Sequence, residues 1–246
     1  MIYKKYNLWD GIDCYKQVEG AVYPYMEVFS LSNTHEVDIN KRRPGLLVCP
    51  GGGYGMTSDR EAEPVMAKFL AEGYVVAIVR YSVEPARHPQ PLFDLSRAMW
   101  ILRENAEELQ LDGDRIGAIG FSAGGHAAAS LGTLWDEDYI CEGINMPRGI
   151  NKPNALILSY PVITSGEKAH RGSFDNLLGE LKDDPAALEH VSLEKQVSDK
   201  TPPSFLWHTA ADDCVPVENS LLFASALVAN KIPVEMHIYP EGWHGL

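Results

Sequence analysis

No apolar run in the 246-residue chain approaches the ~18 residues that a membrane-spanning helix needs. The first ten residues, Met1 to Asp10, hold two lysines but no apolar segment behind them, so they do not read as a signal peptide. Cysteine is scarce and scattered. Cys14, Cys49, Cys141 and Cys214 form no C-x-x-C pair, and free thiols in a reducing, cytoplasmic compartment are the expectation. Basic residues are in deficit, 21 against 34 acidic, for a net charge of −13. That balance argues against a nucleic acid, an anionic membrane or a polyanionic substrate as partner. The histidines make no H-x-x-x-H pair, so no metal site and no cofactor is expected. No internal repeat, low-complexity tract or linker divides the chain, and oligomeric state is not legible.

What the chain does have is an alternation of apolar runs with helical spacing. Strands are expected around Met26–Leu31, Gly45–Pro50, Tyr74–Val79, Arg115–Ile119, Ala155–Tyr160, Ser204–His208 and Val234–Tyr239. Helices are expected over Glu63–Glu72, Leu92–Leu109, the residues after Ser122, and Val217–Ala229. Several of these strands are apolar throughout, as strands buried on both faces are. The pattern predicts one α/β domain over residues 1–246, with a mostly parallel sheet and helices on both faces. Trp135–Asn154 is polar and irregular. Residues 162–203 are long and mixed, with a short helix expected at Pro185–His190, and read as a cap over the active site or a peripheral insertion.

The most informative stretch is Gly120-Phe121-Ser122-Ala123-Gly124-Gly125, between a strand and a small-residue helix. This is G-x-S-x-G in the strand-turn-helix setting that exposes a serine on a sharp turn at a helix N-terminus. A serine hydroxyl is a weak nucleophile at neutral pH and needs a base, itself oriented by a third group. In this strand order the acid and the histidine follow the serine, each after a later strand. Thr209 to Pro216 supplies Asp212 and Asp213, and Pro240 to Gly245 supplies His244. The reading is Ser122 as nucleophile, His244 as general base and then acid, and Asp212 as orienting carboxylate. Asp212 is preferred to Asp213 for its spacing to Val215-Pro216.

The other histidines are assigned packing roles. His208 is expected in a strand as a core or supporting residue, His126 beneath the serine turn, and His88 in a loop. His35, His170, His190 and His237 have no supporting context. Pro50-Gly51-Gly52-Gly53-Tyr54-Gly55 follows an early strand, where one half of an oxyanion hole belongs. Gly52 and Gly53 are expected to offer N–H groups there, and Ala123 the other half. A phosphate loop is disfavoured, because no lysine-serine follows and the G-x-G-x-x-G spacing is not met. Tyr54 and Trp243 either wall an acyl pocket or stack on a sugar ring, or simply pack.

With these segments assembled, together with Leu177-Leu178-Gly179, His208 to Ser220 and Tyr239 to Leu246, the chain resembles α/β-hydrolase-fold serine esterases of the acetyl-xylan-esterase-like kind. The resemblance runs from about Pro44 onward. It implies hydrolysis of short acyl esters such as acetylated sugars or xylo-oligosaccharides, with Ser122, Asp212 and His244 in the catalytic positions. Two departures stand out. Related enzymes often begin the glycine loop with histidine, where this chain has Pro50. The fold usually continues with a helix beneath the histidine loop, whereas these residues stop two positions after His244, as a piece of a longer chain would. The alternatives are a peptidase or amidase, which would need an element to orient a peptide terminus, and a non-catalytic relative acting as a binding protein, which would typically lack the serine or the histidine.

Overall fold

The computed structural model describes residues 1–245. Leu246, the last residue of the Tyr239 to Leu246 segment, lies outside them. Eight strands form one sheet: β1 (Ile2–Asn7), β2 (Tyr25–Ser30), β3 (Arg43–Cys49), β4 (Val75–Arg80), β5 (Leu111–Phe121), β6 (Ala155–Ser159), β7 (Ser204–Thr209) and β8 (Val234–Tyr239), in the spatial order β1-β2-β4-β3-β5-β6-β7-β8. The β1/β2 and β2/β4 pairs are antiparallel, and the pairs from β4 through β8 are parallel. The helices are α1 (Glu63–Ala71), α2 (Gln90–Glu104), α3 (Ala123–Leu134), α4 (Asp138–Gly143), α5 (Arg171–Leu178), α6 (Pro185–His190) and α7 (Glu218–Ala229). This is the mostly parallel sheet with flanking helices that the alternation predicts, in the α/β-hydrolase arrangement that the resemblance implies.

The apolar runs are apolar because both faces of the central strands are covered. Leu47, Val75, Ala77, Ile116, Leu156, Leu158 and Leu206 join one core with residues of α2, α3 and α7. Leu46, Val48, Val76, Ile78, Ile119 and Phe121 face the other way, against Val65, Met66, Phe69 and Leu70 of α1. Among the described residues α1 alone lies on that second face. Phe69, Phe121, Ile157, Phe205 and Trp207 line a shallow apolar groove there, and no helix follows β8 among the described residues. No helix is long and apolar enough to cross a membrane.

Besides α4, a short helix in the segment read as irregular, three elements depart from the sequence expectations. β1 was not expected at all. Its alternation of half-buried and exposed residues, with Lys4 and Lys5 inside it, is that of an edge strand, which needs only one apolar side. The helix expected over Leu92–Leu109 ends at Glu104. The next residues make tight turns, with Asn105 folding its side-chain amide back onto the Ile101 carbonyl. The region 162–203 holds α5, which composition did not reveal. Phe174, Leu177 and Leu178 of this helix are buried in the main core, and Phe174 packs edge-on against His126.

Candidate active site

The turn at Ser122 joins β5 to α3 at the carboxyl edge of the sheet. Its backbone is forced into φ +53°, ψ −122°, a conformation that non-glycine residues avoid. Neighbouring hydrogen bonds hold it there. The Ser122 N–H donates to the Ser159 carbonyl at 3.1 Å, and its own carbonyl accepts from Gly125 at 3.0 Å and Val162 at 3.0 Å. The flanking glycines are required by close approach. A Cβ on Gly120 would run into the Gly124 backbone, and one on Gly124 into the Cys49 and Pro50 carbonyls.

The side-chain chain of contacts is complete. The Ser122 hydroxyl lies 2.9 Å from His244 Nε2, and His244 Nδ1 lies 2.8 Å from Asp212 Oδ2. Because an ionised carboxylate only accepts, the hydrogen-bond partners assign the proton to His244 Nδ1. The Nε2 lone pair is then left for the serine proton. Asp212 comes from the turn after β7 and His244 from the loop after β8. The Asp212 carboxylate is 1% exposed. Its Oδ1 accepts from the Cys214 and Val215 N–H groups, each at 2.9 Å. Burial opposes its charge, but the His244 bond and these two N–H donors outweigh it and hold the carboxyl below its ordinary value. Asp213 is exposed.

His208 is a further support. Its Nε2 faces two acceptors, Val215 O at 3.0 Å and Asp212 Oδ2 at 3.2 Å, so it carries the proton there. Its Nδ1 accepts from the Ser220 hydroxyl at 2.8 Å. Burial lowers its pKa, partly offset by Asp212 and the Val215 carbonyl, so it acts as a neutral donor. His126 is likewise a fixed neutral donor. Nε2 donates to the Val191 carbonyl at 2.8 Å and Nδ1 accepts from the Tyr54 hydroxyl at 2.8 Å. The latter contact places Tyr54 in the packing role, one of the two that the sequence left open, and not in a substrate contact. The ring is turned beneath the glycine loop, 2% exposed, and offers no face to a substrate. Trp243 stands 69% exposed beside His244 and does not line the cleft.

The N–H groups of Gly52, Gly53 and Ala123 donate to no acceptor among the described residues. The glycine loop carrying the first two is fixed from below. The Gly51 N–H donates to Glu61 at 2.7 Å, and the Asn176 amide of α5 donates to the Gly53 carbonyl at 2.9 Å. Around Ser122 and His244 lies a cleft of ≈ 280 Å³, walled by Gly52, Gly53, Met56, Glu61, His170 and Cys214 among others. Sequence reasoning missed Glu61 and His170. His170 precedes α5, bonds Ser173 Oγ through Nδ1 at 2.8 Å, and has its pKa lowered by burial and by nearby His244. Among the described residues, no group of three or more His, Cys, Asp or Glu side chains is arranged to hold a metal ion.

Burial has a consequence for acid stability. It depresses His126 from 6.5 to about 4 and His88 to about 3. Below pH ~6.5 the unfolded chain takes up protons at these sites and the folded one does not, so stability present above that pH is lost on acidification. For His126 alone the loss is about 3 kcal/mol. Asp94, raised by burial to about 6, carries the opposite sign and offsets part of it. Urea unfolding is therefore expected to show a clear drop in stability from about pH 7 to about pH 4.5. Stability that stayed level or rose over that interval would contradict neutral buried histidines.

Residues 37–227 match the BD-FAE family model. The chain is 41% identical over 218 residues to endo-1,4-beta-xylanase B of Butyrivibrio fibrisolvens, covering 86% of this chain and 33% of that protein. It is 30% identical over 201 residues to the acetylxylan esterase of Xylanibacter ruminicola, covering 80% and 39%. The chain thus spans a third to two-fifths of the length of these curated relatives. Among solved structures, an acetyl ester-xyloside bifunctional hydrolase from Caldicellulosiruptor lactoaceticus superposes with a TM-score of 0.85 at 38% identity, covering 99% of this chain and 88% of that one. An α/β hydrolase from a deep-sea metagenome gives 0.74 at 33% identity, covering 100% and 84%. A match over more than half its length, on this fold and with these relatives, makes the chain a member of the BD-FAE family.

Proposed function

We propose that the protein is a serine carboxylesterase that removes short acyl groups, acetyl above all, from carbohydrate esters. The observation that carries this reading is the unbroken hydrogen-bond chain Ser122–His244–Asp212, ending beside three free N–H groups. In the proposed reaction Ser122 Oγ attacks the ester carbonyl while His244 Nε2 takes its proton. The N–H groups of Gly52, Gly53 and Ala123 stabilise the oxyanion, assisted by the N-terminal end of α3. His244 then returns the proton to the departing sugar oxygen. Water, deprotonated by the same nitrogen, hydrolyses the acyl-enzyme.

The small cleft favours a short acyl group, and the names of the relatives point to acetylated xylan as the natural ester. The deficit of basic residues is consistent with a neutral small-molecule substrate. The test compares initial rates on p-nitrophenyl acetate, butyrate and octanoate with acetate release from acetylated xylo-oligosaccharides. Acetate is expected to exceed octanoate by at least about tenfold, since a small cleft discriminates by chain length. Equal rates on octanoate would refute the short-acyl reading, and no hydrolysis of any ester would refute the esterase.

A further inference from the structure

Glu61 lies just before α1, in the cleft wall beside Ser122, and is 7% exposed. A buried carboxylate is unfavourable unless its oxygens are bonded, so its partners are informative. Both are neutral groups, one ten residues before Glu61 and the other 99 residues after it. Oε2 accepts the Gly51 N–H at 2.7 Å, and Oε1 accepts the Tyr160 hydroxyl at 2.9 Å. Gly51 opens the loop that presents Gly52 and Gly53. It is so tightly wedged that a Cβ on it would sit 2.6 Å from the Phe121 carbonyl and 2.9 Å from Ser122 Cβ. Wherever Glu61 holds Gly51, the next two N–H groups follow. The Tyr160 ring packs against the imidazole of His244 at 4.9 Å between centroids, with an interplanar angle of 71°. Its backbone is held at φ +37°, with the N–H donating to the Trp207 carbonyl at 2.8 Å.

We propose that Glu61 is a positioning residue that ties the oxyanion loop, through Gly51, and the general base, through Tyr160, to one fixed point. The inference rests on the esterase reading of Ser122 and His244. The two hydrogen bonds differ in kind. The Gly51 N–H can only donate, whereas the Tyr160 hydroxyl can donate or accept. Glutamine can therefore keep both contacts, its oxygen toward Gly51 and its amide N–H toward Tyr160. Alanine keeps neither.

The test measures kcat and KM on p-nitrophenyl acetate, with kcat normalised to active sites titrated by a fluorophosphonate, for the wild type, Glu61→Gln, Glu61→Ala and Tyr160→Phe. Titration removes misfolded molecules from the count, so a merely structural role would leave kcat per site unmoved. Glu61→Ala is expected to lose about a hundredfold in kcat, comparable to losing an oxyanion donor. Its KM is expected to stay within about threefold, because the lost interaction acts in the transition state. Glu61→Gln is expected to stay within about fivefold of wild type in kcat, its two contacts being preserved. Tyr160→Phe is expected to lose about tenfold, as an imidazole left less well oriented would.

Wild-type kcat per site in Glu61→Ala, or Glu61→Gln as damaged as Glu61→Ala, would overturn the proposal. Should Glu61→Ala fail to fold, the other two variants decide: an unchanged Tyr160→Phe or a crippled Glu61→Gln overturns it. A wild-type enzyme inactive on every ester would overturn the esterase reading and this role with it. An active wild type with unchanged variants overturns the role of Glu61 alone.

Discussion

Replacing Ser122 by alanine is expected to lower turnover of p-nitrophenyl acetate by roughly a million-fold, to the level that binding and the oxyanion hole sustain alone. The structure explains why so large an effect need not come with unfolding. The side chain makes one hydrogen bond, to His244, and the strained turn is held by the backbone bonds to Ser159, Gly125 and Val162. Alanine occupies the same backbone with one atom fewer. His244→Ala is expected to cost about as much, and the double variant little more, because nucleophile and base act as a unit. Steady-state rates with the unfolding midpoint as a control check this. A Ser122→Ala protein within about tenfold of wild type would remove the serine from the mechanism.

Asp212→Asn is expected to lower kcat by about ten-thousandfold through the wrong histidine tautomer rather than through lost packing. At Asp212 the two oxygens are not equivalent. Oδ1 accepts from two backbone N–H groups, so in asparagine the carbonyl oxygen must take that place. The amide NH2 is then forced to where Oδ2 now meets His244 Nδ1 and His208 Nε2. A donor there compels His244 to present its Nδ1 lone pair and to carry its proton on Nε2, toward Ser122. It can no longer accept the serine proton. His208 keeps its bond to the Val215 carbonyl, so the fold has a reason to survive. The measurement is kcat for Asp212→Asn beside the KM and thermal midpoint of the same protein. A loss below about tenfold, with Asp213→Asn the more damaging change, would move the orienting role to Asp213.

Much of this site is legible in sequence because its parts sit at fixed places in the strand order. The serine follows one apolar run, the acid the next but one, and the histidine the last. The uniformly apolar runs at Leu46–Val48 and Val75–Val79 mark strands covered on both faces, and they are so covered. Less regular patterns hid other elements. β1 interleaves lysines with its inward residues, and α5 shows its apolar side only through Phe174, Leu177 and Leu178. Glu61 reads in sequence as one more charge in Asp59-Arg60-Glu61-Ala62-Glu63, the ordinary start of a helix. Its partner Tyr160 is 99 residues away, and no local pattern links them. Tyr54 was misleading for the same reason. Proximity to the glycine loop suggested a substrate contact, but the ring's direction is set by His126, 72 residues on.

The central claim is that Ser122 is the nucleophile of an acyl-transfer reaction, and labelling with a fluorophosphonate tests it most directly. Ser122 Oγ should attack the phosphorus, pass its proton to His244 and expel fluoride, leaving one phosphonyl group per chain. The adduct should fall on the tryptic peptide Ile116–Arg148 and within it on Ser122, with esterase activity falling in proportion to labelling. Undiminished activity in a fully treated sample, or an adduct on another residue with Ser122 unmodified, would contradict the account.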